Sequence, residues 1–370
     1  MSLPTTQQSV ALAGKRKPLI TTTSPVHPPQ AGQVVIRVQW TASTPLDLHR
    51  ADGGLLIQDY PFLSGSGGAA GVIAGVSPDG DTKGLQIGDK VMSFAFYGNE
   101  QANHQEYMTV PAYLVSKVPS GIPLQAAVTV PVNLVTVFHA VTKDLGLELP
   151  WPRDPKWTPK QSDEPVLIWG ASSSVGIFAI QVLRHWDYKN ILAVASGRHH
   201  EYLRELGATA CFDYTRPSVV AEVNAYLAEK HGELHYILDC IGSTQGTLKP
   251  LTQIAKSGSI VAPMLPIIEK DATVDEEPEY EMDASKVLLG HWEEGVQVRG
   301  VRTHFYLEDD LFREKLQPEI VPALIAEGVV QPNKQRVVEG KTVLERAQIA
   351  IDLLRDRAVS GERLVWKVSE

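Results

Sequence analysis

The stretch "VLIWGASSSVGIFAIQV", residues 166–182, decides the fold. Its first four residues read as a buried strand, the small residues that follow as a tight turn, and the remainder as a buried helix. A dinucleotide-binding loop has this local framework, but its glycine pattern is incomplete here. Counted back from Gly176, the pattern requires glycine at 171 and 173, where Ala171 and Ser173 stand. Gly170 lies one place too early to substitute in register. The context still favours a nucleotide. Small residues let the backbone approach a pyrophosphate, and free N–H groups at a helix start favour an anion. Gly176 permits close packing of helix on strand, and Ser172, Ser173 and Ser174 add hydroxyl donors beside Val175.

Downstream of this stretch, strand and helix signals alternate. Strands are expected at 166–169, 190–195, 211–214, 234–241 and 258–263, with helices at 174–187, 199–206, 217–231 and 244–255. Repeated β-α-β units predict an α/β fold with a doubly wound parallel sheet of the Rossmann type. The end of the second strand, "AVASGRHHEYL" (193–203), selects the nucleotide. A site for the unphosphorylated cofactor places Asp or Glu there to hold the ribose hydroxyls. Ser196 and Arg198 occupy this region instead, and a hydroxyl with a guanidinium suits a 2′-phosphate. Tyr214, at the end of the next strand, adds a phenolic donor, so NADPH is the expected cofactor.

Upstream, residues 8–125 read as short strands punctuated by glycine and proline, including "QVVIRVQW" (33–40), "AAGVIAGV" (69–76) and "GDKVMSFAF" (88–96). An irregular β-barrel is expected from them. "AAVTVPVNLVTVFHAVTKDLGL" (126–147) has the length and amphipathicity of a helix, and the proline-rich 148–165 reads as an exposed loop. The acidic stretch 269–284 reads as a surface loop, and "GKRKP" (14–18) as a solvated hairpin turn. A helix is expected at 345–356, then the apolar strand "ERLVWKV" (362–368), which needs a partner. The first domain is its expected host. That makes the first domain discontinuous, 1–125 with 306–370, around a nucleotide-binding domain at 126–305.

Composition limits the alternatives. The chain has 370 residues, two cysteines and a net charge of −9. Two cysteines exclude a disulfide scaffold or a Cys-rich zinc lobe, and the acidity argues against a nucleic-acid partner. No apolar run is read as reaching the ~20 residues of a membrane span, and no secretory signal is read. A cytoplasmic location is therefore expected.

Several segments together resemble the zinc-independent medium-chain dehydrogenases/reductases. "STPLDLHRADGG" (43–54) is similar to that family's N-P-x-D segment, and "SGSGGAAGVIAGV" (64–76) with "GDKV" (88–91) to its glycine-rich segment. "HQEYMTVP" (104–111) matches an A-E-Y-x-x-V strand, while "SSSVG" and "VSGERLVWKV" (359–368) resemble the quinone-reductase-like and fungal trans-acting enoyl-reductase-like members. The resemblance implies a GroES-like first domain and hydride transfer from NADPH to an activated C=C bond or a quinone. Zinc-dependent relatives carry ligands where this chain has Thr44 and Gly67 or Gly68, so no metal is expected. Many zinc-free relatives carry lysine where His49 stands.

Candidate catalytic residues are His49, Tyr60 and Tyr97. His49 either donates a hydrogen bond to substrate or caps a helical turn, and the tyrosines either deliver a proton or line the pocket. Segments 43–62 and 94–99 are expected to line the substrate cleft, with Leu55, Leu56, Ile57, Phe62 and Phe94 favouring a small apolar substrate. By resemblance Thr136 faces the nicotinamide, although its hydroxyl equally suits a bond to its own helix. Also by resemblance, the loop holding Ile241 and Gly242 after Asp239 and Cys240 borders the cofactor. A polyketide synthase is an implied partner, and a monomer or homodimer the expected assembly. An aldehyde reductase and a non-catalytic NADPH sensor remain alternatives.

Overall fold

The computed structural model describes residues 3–369. The chain divides into two compact units: Met1–Val132, Ala272–Pro278 and Leu307–Glu370 form one, Asn133–Asp271 and Glu279–Tyr306 the other. The first boundary therefore lies at 132/133 rather than 125/126. The stretch read as one helix from 126 is interrupted: a single turn, Leu124–Ala127, precedes a helix that begins at Pro131. Proline fits there because a first-turn N–H has no helical partner. The helical path Leu124–Asp144 is long and apolar enough by composition to cross a membrane, contrary to the reading of the sequence. However, 89% of its most apolar window is buried within the protein, as in a core helix.

The second unit is built on six strands. They are β1 (Pro165–Trp169), β2 (Asn190–Ala195), β3 (Ala210–Asp213), β4 (Tyr236–Asp239), β5 (Ile260–Pro263) and β6 (Gln297–Val298), in the order β3-β2-β1-β4-β5-β6. All pairings are parallel. The chain leaves β1 for β2 on one side and returns for β4 on the other. The crevice between β1 and β4 is thus the switch point where open α/β sheets bind ligands. Trp169 lies level with Val194 and Asp239, and Ala195 with Asp213, so the carboxyl ends of four strands align. Leu167, Leu192, Val194 and Ile237 are fully buried and pack with Val223, Leu248 and Leu251. Each such side chain contributes about 1.5–3 kcal/mol by leaving water.

Two expectations for this unit need correction. The helix expected at 244–255 is shorter: the wider-wound Thr244–Leu248 runs directly into Lys249–Leu251, with Pro250 in its last turn. The acidic stretch is not simply a loop, because Ile267–Lys270 pairs antiparallel with Glu279–Glu281.

In the first unit, Gln33–Ala42 is the central strand. It pairs antiparallel with Ala69–Val76, Tyr107–Pro111 and the terminal strand Arg363–Lys367. Trp366, fully buried, donates its indole N–H to Ser43 Oγ at 3.0 Å. The hairpin of Thr6–Leu12 with Leu19–Pro25 turns at 13–18. Its basic residues are not merely solvated: Lys15 meets Glu277 at 2.6 Å, and the Arg16 guanidinium donates to the carbonyls of Thr273 and Val274. These contacts explain why residues 272–278 belong to the first unit.

Candidate functional site

The loop after β1 is shaped by its two glycines. Gly170, out of register with the glycine pattern, takes the corner at φ +74°. A β-carbon there would stand 2.6 Å from Ile241 Cγ1. At Gly176 a β-carbon would stand 2.6 Å from Ala171 Cα and 2.7 Å from the Gly170 carbonyl, so only glycine lets the helix Ser174–His185 start this close to β1. Ser173 caps that helix, its Oγ accepting from Gly176 N–H at 3.1 Å. This places the Ser173 hydroxyl in a structural role as well. The first-turn amides of Ser174 and Val175 precede the helical hydrogen-bond ladder and are free to meet an anion. Ser172, Ser173, Ser174 and Val175 are all partly exposed, as a binding loop requires. The cradle fits a dinucleotide pyrophosphate.

On the β2 side, Ser196 follows Ala195 directly and Tyr214 follows Asp213, and those two strand ends are paired. Ser196 is therefore brought beside Tyr214, with Arg198 in the helical turn Gly197–His199. Arg198 and Tyr214 are exposed. Sequence reasoning passed over Asp213. Its carboxylate accepts from both the N–H and hydroxyl of Thr215 and lies against Gly197. The Thr215 hydroxyl is the main cause that holds its pKa below the usual carboxylate range. An anion thus stands in the same cluster as the proposed phosphate donors.

On the β4 side, Asp239 organises the next loop. Fully buried, it accepts from the N–H groups of Ile241 and Gly242 at 3.0 and 3.2 Å and from the Thr247 hydroxyl. Burial raises its pKa to about 6 despite these donors. Ile241 is 42% exposed, and its side chain covers Gly170. Gly242, at φ +68°, lies so close to the Met264 carbonyl that a β-carbon would stand 2.2 Å from it. Burial and the adjacent Asp239 push the Cys240 thiol above its usual pKa, so it stays protonated. Thr136 is buried, and its hydroxyl receives a hydrogen bond from Thr303 at 3.1 Å.

The first unit holds the remaining candidates. Asp47, in the helix Pro45–Gly53, accepts from Thr44 N–H at 2.8 Å and from the N–H and hydroxyl of Ser66. It therefore closes the helix start and pins the glycine segment. His49 is half-buried, and burial lowers its pKa to about 4 against the pull of Asp47 and Asp52. It is a neutral imidazole at physiological pH. Tyr60 and Tyr97 are 38% and 51% exposed, and the Tyr97 ring lies against Phe96, centres 4.2 Å apart and planes tilted by 46°.

Residues from the two nominated segments do meet, around a cavity of about 70 Å³ lined by Arg50, Phe62, Leu63, Phe96 and Gln101 among others. His49, Tyr60 and Tyr97 are not among its lining residues. Phe94 lies instead in the core, its backbone N–H and carbonyl both bonded to the Gln317 amide.

The zinc places are not built for metal. Thr44 is a helix N-cap; a β-carbon on Gly67 would stand 1.7 Å from the Ala42 carbonyl oxygen, whereas one on Gly68 would meet nothing nearer than 3.4 Å, and neither glycine supplies a ligand. Among the described residues, no three His, Cys, Asp or Glu side chains converge as a metal site.

Comparison with known proteins agrees with this architecture. The family described as "Alcohol dehydrogenase GroES-like domain" matches residues 30–120, and "Zinc-binding dehydrogenase" matches 174–275. The latter range excludes Thr44 and Gly67, so its name carries no ligand set here. The trans-enoyl reductase himH of Aspergillus japonicus is 30% identical over 348 residues, covering 91% of this chain and 90% of that protein. The trans-enoyl reductase tazE of Aspergillus terreus is 33% identical over 237 residues, 62% and 74% of the two chains. Among solved structures, CurK enoyl reductase superposes with a TM-score of 0.73 at 16% identity, covering 98% of this chain and 99% of that one. The quinone oxidoreductase of Coxiella burnetii gives 0.71 at 18%, covering 98% and 100%. A GroES-like domain and a Rossmann domain in one chain define a nicotinamide-dependent oxidoreductase. The chain belongs to the medium-chain dehydrogenase/reductase family, in the zinc-independent group that contains fungal trans-enoyl reductases.

Proposed function

We propose that the protein is an NADPH-dependent reductase of activated C=C bonds, in enones or enoyl thioesters, with quinones as further acceptors. The observation that carries this reading is the glycine segment, where Gly67 and Gly68 offer no ligand side chain, in a chain whose relatives are named trans-enoyl reductases. Without a Lewis acid, reduction of a simple carbonyl loses the stabilisation of its developing alkoxide. A conjugated acceptor spreads that charge into an enolate.

When bound, the reduced nicotinamide supplies the hydride. The chain's own residues bind, orient and protonate. The 170–176 loop would hold the pyrophosphate, and Ser196, Arg198 and Tyr214 would hold the 2′-phosphate. Asp239 fixes the backbone of Ile241 and Gly242, which would border the cofactor's other side. Neutral His49 donates a hydrogen bond to the acceptor oxygen, and Tyr60 or Tyr97 delivers the proton to the α-carbon.

A polyketide synthase is the proposed partner, on the trans-acting names of the relatives. The cytoplasm is the proposed location, because Cys211 and Cys240 are both free thiols. Turnover of NADPH against enones, enoyl thioesters, quinones and aldehydes, with and without chelator, tests the reading. Preference for the first two classes, unaffected by chelator, is expected. Turnover of aldehydes alone, or loss of activity with chelator, rejects it.

A further inference from the structure

Arg50 is 9% exposed, yet its Nε–H has no hydrogen-bond partner. The carboxylate whose field it feels, Asp47, is already occupied by Thr44 N–H and by the N–H and hydroxyl of Ser66. The guanidinium lies 5.4 Å over the Phe62 ring, which supports a cation from below but accepts no conventional hydrogen bond. Burying a guanidinium, which never deprotonates, without an acceptor is costly.

Arg50 lines two adjoining spaces. The smaller, about 10 Å³, is shared with His104 and Ser64. The Ser64 hydroxyl donates to the Val10 carbonyl, so His104 Nδ1–H must donate to Ser64 Oγ, which leaves His104 Nε2 a bare acceptor. The larger, about 70 Å³, corresponds to about two water volumes or a carboxylate with its adjoining carbon. Its walls are Phe62, Leu63 and Phe96; exposed Asn99 also lines it, and its second buried polar side chain is Gln101, which is 5% exposed. Gln101 Oε1 accepts from the N–H groups of Phe96 and Tyr97 at 3.1 and 2.8 Å. An NH2 group cannot accept, so the amide orientation is fixed and its two N–H donors are turned away from those amides. Both buried polar side chains of this space thus bring donors. The complementary ligand is a pure acceptor with negative charge.

We propose that Arg50 and Gln101 anchor a carboxylate in the 70 Å³ space, its apolar continuation lying along Phe62, Leu63 and Phe96. The carboxylate belongs either to a free short-chain acid or to the reducible acceptor itself. The second source rests on the reductase reading, whereas the site stands on the first unit alone.

Acetate is the probe, with chloride at equal ionic strength as control, and the melting temperature is the readout. Acetate is expected to raise it saturably in the wild type and chloride is not. Arg50→Met, which keeps the volume and removes the donors, should abolish the response, and Arg50→Lys should restore part of it. Ala102→Val, which narrows the same space and leaves Arg50 in place, should abolish it independently. Steady-state kinetics with 4-oxo-2-pentenoate and 3-penten-2-one then separates the sources. If the carboxylate belongs to the acceptor, Arg50→Met raises KM about tenfold for the acid and leaves the ketone within about twofold. If it is a free acid, acetate shifts the kinetics of both acceptors alike. A wild-type response to acetate no larger than to chloride, or one that survives in both Arg50→Met and Ala102→Val, overturns the proposal.

Discussion

Ile241 rests on the α-carbon of Gly170, so that a β-carbon at 170 would lie 2.6 and 2.8 Å from its Cγ1 and Cδ1. The loops after β1 and β4, on either side of the switch point, are thereby fitted to each other before any nucleotide arrives. Gly170→Ala meets two penalties: a left-handed residue at about 1–2 kcal/mol and overpacking at about 1–3 kcal/mol. Urea unfolding should show a loss within the sum of these ranges, accompanied by weaker NADPH binding. Adding Ile241→Ala should recover the steric part only. Full recovery in the double variant would show that φ +74° at position 170 carries no strain.

Asp52 and Arg355 form a two-pronged ion pair, with contacts of 2.6 and 2.8 Å, between the helix Pro45–Gly53 and the C-terminal helix Val343–Arg355. Asp52 is 1% exposed, so Arg355→Ala leaves a buried carboxylate unpaired, at a cost of about 3–5 kcal/mol. Arg355→Ala with Asp52→Asn should regain much of that. Loss below about 1 kcal/mol for the single variant would place this pair among ordinary surface bridges.

Burial lowers the His104 pKa to about 4 in the folded protein, against an ordinary value of 6.5. The unfolded chain therefore binds the extra proton between these values. The stability contributed by neutral His104 is complete above pH 6.5 and is lost as pH falls towards 4, about 3 kcal/mol in all. His49 acts with the same sign. Asp239 and Asp144, raised by burial to about 6 and 7, act with the opposite one: their neutral forms favour the fold at low pH, and that advantage fades as pH rises through those values. The difference between wild type and His104→Asn isolates the imidazole, since asparagine keeps a donor for Ser64. The stability gap should shrink on acidification from pH 7 to 4. A constant gap would mean that His104 titrates normally.

Arg198→Ala should weaken NADPH binding by about 1.5–3 kcal/mol, roughly tenfold or more, and leave NADH almost unchanged. Calorimetric titration with both nucleotides checks this. Equal weakening of both would assign the 2′-phosphate elsewhere, and a native preference for NADH would give Asp213 the ribose.

The sequence was most legible where periodicity and burial coincide. The run of four apolar residues before Gly170, and the helix whose residues Gly176–Leu183 are all buried, left one reading of β1 and its helix. The terminal strand was equally clear, because apolar Leu364–Trp366 requires burial. Other features depend on contacts that no local pattern reveals. Gly170 was discounted by register, yet the corner needs a positive φ one residue earlier than the glycine pattern has it. No local pattern in "LHRAD" singles out Arg50, and only the fold shows that it is buried over Phe62. Phe94 was placed at the substrate wall by its neighbours, whereas its backbone bonds to Gln317 draw it inward. The helix expected at 244–255 stops at Leu251, and the turns that follow carry no local signal that separates them from it.

Hydride transfer to carbon–carbon unsaturation is the step that separates the proposed reductase from its alternatives. The most direct measurement uses NADPH deuterated at the transferring position, an α,β-unsaturated aldehyde as acceptor, and NMR of the product. Such an acceptor offers both possible targets in one molecule. Deuterium is expected at the β-carbon, with a solvent proton at the α-carbon and an intact carbonyl. Deuterium on the carbinol carbon would make the protein a carbonyl reductase, and bound NADPH that transfers no label to any acceptor would make it a sensor; either result contradicts the account.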